Sequence, residues 1–177
     1  MPIWSGTSKG LWEKGGDDMK KIILLGLILL FVGSSAGFSQ NIPLPKEIVI
    51  KTPSADLPKE IAAFSGKWKG KWAGASAWGE RNVSHILVVM EIDSEKAEVV
   101  YATAAEQGAD SASENITAKV ISGGNPKIQF NRVPRATSGY FGARIWYTFE
   151  MQKDQRTLKG VTEFTGGNQK ATLQKIE

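Results

Sequence analysis

The stretch Gly66-Lys67-Trp68-Lys69-Gly70-Lys71-Trp72 alternates strictly between two kinds of side chain. Glycine and tryptophan occupy every second position, and three lysines occupy the positions between them. Successive side chains of a β-strand point to opposite faces, so this pattern predicts a strand with one buried and one solvated face. We therefore expect a strand over residues 67–73, with Trp68 and Trp72 facing the core.

Seven further segments have strand character and are separated by turn signals. They are residues 84–92, 97–103, 115–121, 127–131, 142–151, 157–164 and 170–176. Short connections favour antiparallel neighbours, and eight such strands can close into a barrel that leaves no exposed edge. The predicted fold is all-β, an eight-stranded antiparallel up-and-down barrel over residues 57–177. A sandwich of two sheets is the competing architecture.

A short helix is predicted just before the first strand, over residues 56–64. Asp56 is suited to cap it, and Pro58 is tolerated in a first turn. Ile61 and Phe64 are three residues apart and therefore share one face. This helix is expected to lie at one end of the barrel. Residues 74–82, which include Trp78, are predicted to form a loop.

Alternation assigns an apolar and aromatic inner face to the barrel. Tyr101, Phe130 and Tyr147 are expected to point inward, whereas Arg144 and Trp146 are expected on the outer face. A register slip of one residue would move Arg144 inside, where it would suit an anionic ligand. A barrel of eight strands is just wide enough either to fill itself or to hold one small ligand.

The chain before the barrel divides into three segments. Residues 19–36 combine a basic start, a short apolar run and small residues, which predicts a secretory signal peptide cleaved after Ala36. The apolar run is shorter than the roughly 20 residues that span a bilayer. Residues 1–18 are then an over-called translation start or an extended n-region. Residues 37–56 form a proline-containing tether with one edge strand at 48–50.

Composition narrows the class of protein further. The chain has a formal net charge of +4 and no cysteine. An exported domain without cysteine relies on its core and carries no lipid-modified cysteine, so we expect a periplasmic or extracellular protein without a stable membrane anchor. The lysines are interpreted as a solvated face, and nucleic acid is not an expected partner because that would need a stronger, arginine-rich patch. The oligomeric state stays open.

No pattern in the sequence points to catalysis. His85 is the single histidine, and no nucleophile or carboxylate is spaced to work with it, so we expect it on the surface at a strand start. Glu91, Asp93 and Glu95 share a hairpin but lack the spaced oxygen ligands of a calcium loop. We expect no enzyme activity, no catalytic residue, no metal and no cofactor.

Phe64-Ser65-Gly66-Lys67-Trp68 after a short helix resembles the opening of a lipocalin, whose first strand starts Gly-x-Trp. Over roughly residues 57–176 the chain resembles a lipocalin-like, calycin-like barrel domain of the small exported bacterial kind, and avidin-type barrels open similarly. The resemblance implies that Trp68 packs across a closed end beside Lys170 or Lys175, and that a small hydrophobic molecule is bound. A second lipocalin motif of the Thr-Asp-Tyr type and an arginine in the last strand are absent.

Together these features predict an exported, non-enzymatic binding protein that holds a small, largely apolar ligand inside a β-barrel. Aromatic faces suit apolar ligands and also stack on sugars. The alternative is a carbohydrate- or cell-envelope-binding module that uses surface aromatics and lysines, so the expected partner is a small hydrophobic molecule or a glycan. The predicted ligand contacts are Trp72, Trp78, Tyr101, Phe130, Tyr147 and Arg144.

Overall fold

Eight antiparallel strands form a closed barrel in a computed structural model of the chain. The structure describes residues 42–76, 79–105, 111–133, 144–164 and 167–176, without the side chains of 75–76, 79–81, 164 and 167. All of these residues belong to one compact unit, Gln40–Glu177. The predicted signal peptide lies outside the described residues and stays a prediction.

Each strand pairs with the next one in the chain, and the first strand pairs with the last to close the sheet. This order confirms the predicted up-and-down barrel and excludes the two-sheet sandwich. The strands are β1 (Gly66–Ser76), β2 (Gly79–Ile92), β3 (Lys96–Thr103), β4 (Ala112–Ile121), β5 (Lys127–Arg132), β6 (Ile145–Met151), β7 (Thr157–Phe164) and β8 (Gly167–Ile176).

The largest difference from the predicted boundaries concerns the loop expected at residues 74–82. β1 and β2 instead continue through most of it, with Gly74 opposite Arg81 and Ser76 opposite Gly79. Cross-strand pairing in the closed sheet outweighs the weak strand propensity of these small and polar residues. β6 begins at Ile145, and residues 142–143 of its predicted start lie outside the described residues.

The predicted faces of the strands are confirmed wherever side chains are described. The inner side chains are almost fully buried: Trp68, Trp72, Val99, Tyr101, Ile128, Phe130, Ile145, Tyr147, Phe149, Met151, Leu158, Thr162, Ala171 and Leu173. On the outer face of β6, by contrast, Trp146 is 42% exposed. Period-two alternation therefore separated core from solvent correctly along β1, β3, β5 and β6.

Helix α1 (Lys59–Ala62) is shorter than predicted and covers one end of the barrel. Pro58 occupies its N-cap position and no side chain caps it, so the expected cap by Asp56 is wrong. Pro58 has an extended backbone and the helix starts at Lys59, so Asp56 lies two residues before the N-cap position. Ile61 and Phe64 are both buried, as their shared face predicted.

Trp68 closes this helix end from inside. Its Nε1 donates a hydrogen bond of 2.7 Å to the carbonyl oxygen of Phe64. Lys175 of β8 lies with Nζ 5.2 Å from the centre of the Trp68 ring and donates to the Ala63 carbonyl at 2.9 Å. Burial, with a smaller contribution from the charge of Arg156, lowers the pKa of Lys175. Of the two basic residues implied by the lipocalin resemblance, Lys175 is therefore the one beside the tryptophan.

No strand forms over the described part of the tether, so the edge strand expected at residues 48–50 is wrong. Val49 is 74% exposed. The pairing of β2 with β3 shifts register between Val89 and Glu91, and the Met90 carbonyl accepts a 2.7 Å hydrogen bond from the Lys51 N–H. Lys51 Nζ also lies 2.6 Å from a carboxylate oxygen of Glu91. The tether therefore touches β2 at a bulge rather than extending the sheet.

Among the helices of the described ranges, none has the length and apolar character needed to cross a bilayer.

Candidate functional site

Four of the six predicted ligand-contacting residues meet inside the barrel. The Tyr147 ring centre lies 5.1 Å from that of Tyr101, 5.4 Å from that of Phe130 and 5.7 Å from that of Trp72. Trp72 Nε1 donates a 2.6 Å hydrogen bond to the Tyr101 hydroxyl. These residues come from β1, β3, β5 and β6, so closure of the sheet is what brings them together.

Two further rings complete this group. Phe149 lies 5.7 Å from Trp72 and 5.9 Å from Phe130, and His85 lies 5.1 Å from Trp72, each between ring centres. We call the six residues the aromatic cluster: Trp72, His85, Tyr101, Phe130, Tyr147 and Phe149. Ring contacts at these separations add to the burial of apolar area, so the cluster forms the middle of the core.

The surface position expected for His85 is wrong, because its side chain is fully buried. His85 faces Gly70 across β1 and Thr103 across β3, on the inner side of the sheet. The imidazole stacks on Trp72 with an interplanar angle of 19°. The neighbouring inner positions of β2 hold Leu87 and Val89, which are also fully buried.

The imidazole of His85 is the least satisfied polar group of the cluster. Neither ring nitrogen has a hydrogen-bond partner within the part of the chain that the structure describes. Burial lowers the pKa of His85 from 6.5 to about 4, and a polar contact with the Val83 backbone, too poorly aligned for a full hydrogen bond, opposes this shift. The ring is therefore neutral at neutral pH, with one donor and one acceptor nitrogen held inside an apolar barrel.

Burial also raises the pKa of the Tyr101 hydroxyl well above its usual value, and the neighbouring Tyr147 adds to the shift. Tyr101 therefore stays protonated at any physiological pH. Because its oxygen already accepts a hydrogen bond from Trp72, its own proton is the group it offers to another acceptor. The cluster thus combines apolar ring faces with a few polar atoms, which is the composition of small-molecule pockets.

One cation lies against the cluster at the end of the barrel opposite α1. Arg132 is the last residue of β5, and its guanidinium carbon lies 5.4 Å from the centre of the Tyr101 ring. Its side chain is only 8% exposed. Its Nε is 3.4 Å from a carboxylate oxygen of Glu114, at a geometry that makes no hydrogen bond.

The other two predicted contacts do not join this cluster. Arg144 is exposed and lies just before β6, in register with the outward positions of that strand. The alternative register that would have turned it inward is therefore not adopted. Trp78 lies outside the described residues, and its predicted role as a ligand contact stays a prediction.

Both ends of the interior keep a little exposure to solvent. At the helix end, Trp68, Leu158 and Leu173 have no exposed surface, whereas Ile61 and Ile92 retain 4% and 6%. At the opposite end, Ile145 and Tyr147 each retain 8% exposure and Gln169 retains 9%. The end where Arg132 and Tyr147 lie is therefore slightly the more exposed of the two.

Replacing Gly160 with alanine is expected to strain the aromatic cluster. A Cβ at this position of β7 would lie 2.9 Å from Cη2 of Trp72 and 3.0 Å from Cε1 of Phe149. Overpacking of a filled core costs about 1–3 kcal/mol, and urea unfolding should show a loss of this size. In a Trp72→Phe background the nearest clashing atom is gone, so the same substitution should cost clearly less. Equal costs in the two backgrounds would contradict the close approach of Trp72 to β7.

A separate groove of about 480 Å³ is lined by residues of β1 and β8, among them Lys71, Ala73, Lys170 and Thr172 of the outer face. None of its lining residues belongs to the aromatic cluster. Among the described residues, no three histidine, aspartate or glutamate side chains are grouped to hold a metal ion.

His85 and Arg132 are the residues that the sequence analysis missed, and both left a signal. His85 lies two residues before Leu87, so alternation along β2 places both side chains on the inner face. Because β2 is apolar on both faces, its sequence does not show which face is the inner one. Arg132 continues the inward series of Ile128 and Phe130. His85 was expected on the surface because no partner was spaced to work with it, and Arg132 lay just beyond the predicted strand at residues 127–131. Strand parity was the better guide in both cases.

Compared with models of protein families, with curated proteins and with solved structures, the chain matches none.

Proposed function

We propose that this protein is an exported, non-enzymatic binding protein of a lipocalin-like kind, which holds a small, largely apolar ligand at the end of its barrel opposite α1. The closed eight-stranded barrel is consistent with a calycin-like plan. Export follows from the predicted signal peptide at residues 19–36.

The observation that carries this proposal is the aromatic cluster with its unsatisfied imidazole. A core that serves stability alone gains nothing from a buried histidine whose nitrogens lack partners, because such a group costs about 1–3 kcal/mol. Neither nitrogen of His85 makes a well-aligned hydrogen bond with the described residues, and the Val83 backbone provides only a polar contact. Polar atoms held inside an apolar site orient a ligand, so the cost of His85 is understandable if a ligand uses it.

The tight packing of the rings limits the size of the ligand. The Phe130 and Tyr147 rings stack at 5.4 Å with an interplanar angle of 14°. Nearly complete burial of the inner side chains means that a ligand inserts by displacing rings near the accessible end, where Tyr147 has residual exposure. We therefore propose a small or slender ligand rather than a bulky one.

The proposal is tested with freshly purified protein by native mass spectrometry and by tryptophan fluorescence during titration with apolar compounds. A bound molecule should change the emission of Trp72, whose indole N–H bonds Tyr101 inside the cluster. The change should disappear in Trp72→Phe. It should persist in Trp146→Phe, the matched control, because Trp146 lies on the outer face of the barrel.

Absence of both a carried ligand and a fluorescence change across the compound set would count against the proposal. If the same protein were retained on peptidoglycan or polysaccharide beads, the alternative envelope-binding module would be favoured instead. The lysines around the groove between β1 and β8 would then be its contact surface, since Lys71 and Lys170 line that groove.

A further inference from the structure

The wall of the barrel is incompletely paired at one place, between β4 and β5. These strands pair only over residues 119–121 and 127–129. The other part of β4, as far as Ala112, has β3 as its one partner among the described residues, whereas β5 continues to Arg132 beside β6. Residues 112–118 of β4 therefore have an open edge on the side of β5, and open strand edges pair readily with another chain.

The direction of the backbone groups shows what this edge offers. The Val120 N–H donates a 2.7 Å hydrogen bond to the carbonyl of Glu95, the residue before β3. Because the two sides alternate along an antiparallel strand, the N–H and C=O groups of Asn115 and Thr117 point to the open side. Both residues are exposed. The edge thus presents backbone donors and acceptors that no described strand pairs with.

Little along this edge prevents another strand from pairing with it. Natural edges are commonly blocked by proline, lysine or a bulge. Residues 112–118 contain neither proline nor lysine, and their pairing with β3 shows no shift of register. The inner residue Ile116 is only partly buried. Glu114 and Arg132 approach to 3.4 Å, but Glu114 is 45% exposed, and ion pairs at exposed positions contribute little.

The tether contains a short segment that has strand character and no strand partner. Ile48-Val49-Ile50 is a run of β-branched residues, the type that favours strands. Val49 is 74% exposed and Ile50 is 38% exposed. Exposed segments of this composition readily add to an open strand edge.

This segment does not reach the open edge of its own barrel. The Lys51 N–H holds the tether to the Met90 carbonyl of β2. A strand beside β4 lies three strand spacings from β2, which is about 14 Å along the sheet. Val49 is two residues from Lys51, and two residues span about 7 Å at most. A strand that pairs with this edge must therefore come from another copy of the chain.

We propose that residues 47–50 of one copy add as an antiparallel strand to the open edge of β4 in a second copy. The register that fits best sets Ile50 opposite Ile116, Val49 opposite Thr117 and Ile48 opposite Ala118. Both isoleucines then lie on the inner face, where Ala118 is buried and Ile116 is partly buried. The N–H and C=O of Val49 pair with those of Thr117, which point to the open side.

The charges at the ends of the segment favour this direction. Antiparallel addition brings Glu47 next to Lys119, the first residue of β4 that pairs with β5. Parallel addition with both isoleucines still on the inner face would instead bring Lys51 next to Lys119. Opposite charges on neighbouring strands stabilise their pairing and like charges destabilise it.

Introduced cysteines test the contact directly, because the chain has none of its own. Purified Val49→Cys and Thr117→Cys proteins are mixed and oxidised, and the disulfide is identified by mass spectrometry of digests. Mixing Val49→Cys with Lys159→Cys is the matched control, since Lys159 is exposed but its strand is paired on both sides. The 49–117 disulfide should exceed the 49–159 disulfide about tenfold or more, because facing strand positions lie within the limit of about 7 Å between Cα atoms. Comparable yields would overturn the proposal.

Light scattering after gel filtration tests the assembly without cysteines. The purified protein should have a mass of more than one copy that falls toward one copy on dilution. Val49→Pro removes the N–H at the centre of the added strand and should yield single copies, whereas Val49→Thr keeps the N–H and should still assemble. Circular dichroism should show an unchanged barrel in both, because Val49 is exposed. Single copies at every concentration, a peptide of another protein bound at this edge, or assembly that survives in Val49→Pro would each contradict pairing between copies.

Discussion

Replacing Trp68 with alanine is expected to lower the free energy of unfolding by about 3–5 kcal/mol, the range for removing a large aromatic side chain from a core. Trp68 has no exposed surface and is among the largest fully buried side chains. Its removal leaves the Phe64 carbonyl without the indole N–H and removes the ring under Lys175. Equilibrium unfolding in urea, followed by far-UV circular dichroism, measures the change.

A tryptophan on the outer face of the barrel provides the control for this substitution. Trp146 is also a strand tryptophan, but it is 42% exposed on the outer face of β6. Trp146→Ala should cost about 1 kcal/mol or less, since substitutions away from the core have small effects. Similar losses for the two variants would contradict the assignment of Trp68 to the closed end of the barrel.

Acid is expected to destabilise the protein through His85 well before the carboxylates are fully protonated. Burial lowers the pKa of His85 to about 4 in the folded state, against an ordinary value of 6.5. The unfolded chain therefore binds a proton between these two values that the folded chain does not. The stability that depends on His85 being buried and neutral is fully present above about pH 6.5. It is lost from the free energy of unfolding as the pH falls toward 4. The expected loss is about 3 kcal/mol.

His85→Phe isolates this effect, because the chain has one histidine. Phenylalanine preserves a ring against Trp72 but cannot be protonated. The loss of unfolding free energy between about pH 7 and pH 4, measured in urea, should be smaller in this variant by about 3 kcal/mol. Equal pH dependence in both proteins would mean that His85 is not buried as described.

The carboxylates act in a lower pH range. Hydrogen bonds from the backbone of Glu95 and Lys96 lower the pKa of Asp93, and the Thr157 hydroxyl does the same for Asp154. The stability that they contribute is present above their unfolded pKa values and is lost as the pH falls below them. This loss occurs in both proteins and cancels in the comparison.

Much of the barrel could be predicted because the information is local. The alternation of Trp68 and Trp72 with lysines, and of Tyr147 and Phe149 with their polar neighbours, assigns a face to each side chain independently of its partners. Short turns between the strands then favour antiparallel neighbours. The helix that covers one end of the barrel could also be predicted locally, because Ile61 and Phe64 share one face of the segment before β1.

The candidate site was predictable only in part. The sequence identified Trp72, Tyr101, Phe130 and Tyr147 as members of the site, because large aromatic side chains at inward strand positions pack in the core. His85 was misplaced because the apolar residues on both faces of β2 conceal which side is inner. Arg144 was named as a ligand contact and Arg132 was not considered, because nothing local to β5 shows that Arg132 lies beside a ring of β3.

The sequence by itself determined an all-β chain of eight strands, their order and the face of nearly every large side chain. Only the tertiary structure decided which inner residues meet. The contact of His85 with Trp72 depends on the pairing of β2 with β1, and the contact of Arg132 with Tyr101 depends on strands that are not paired at all. Alternation acts over two residues, whereas these contacts require the sheet to curve and close, which is a property of all eight strands together.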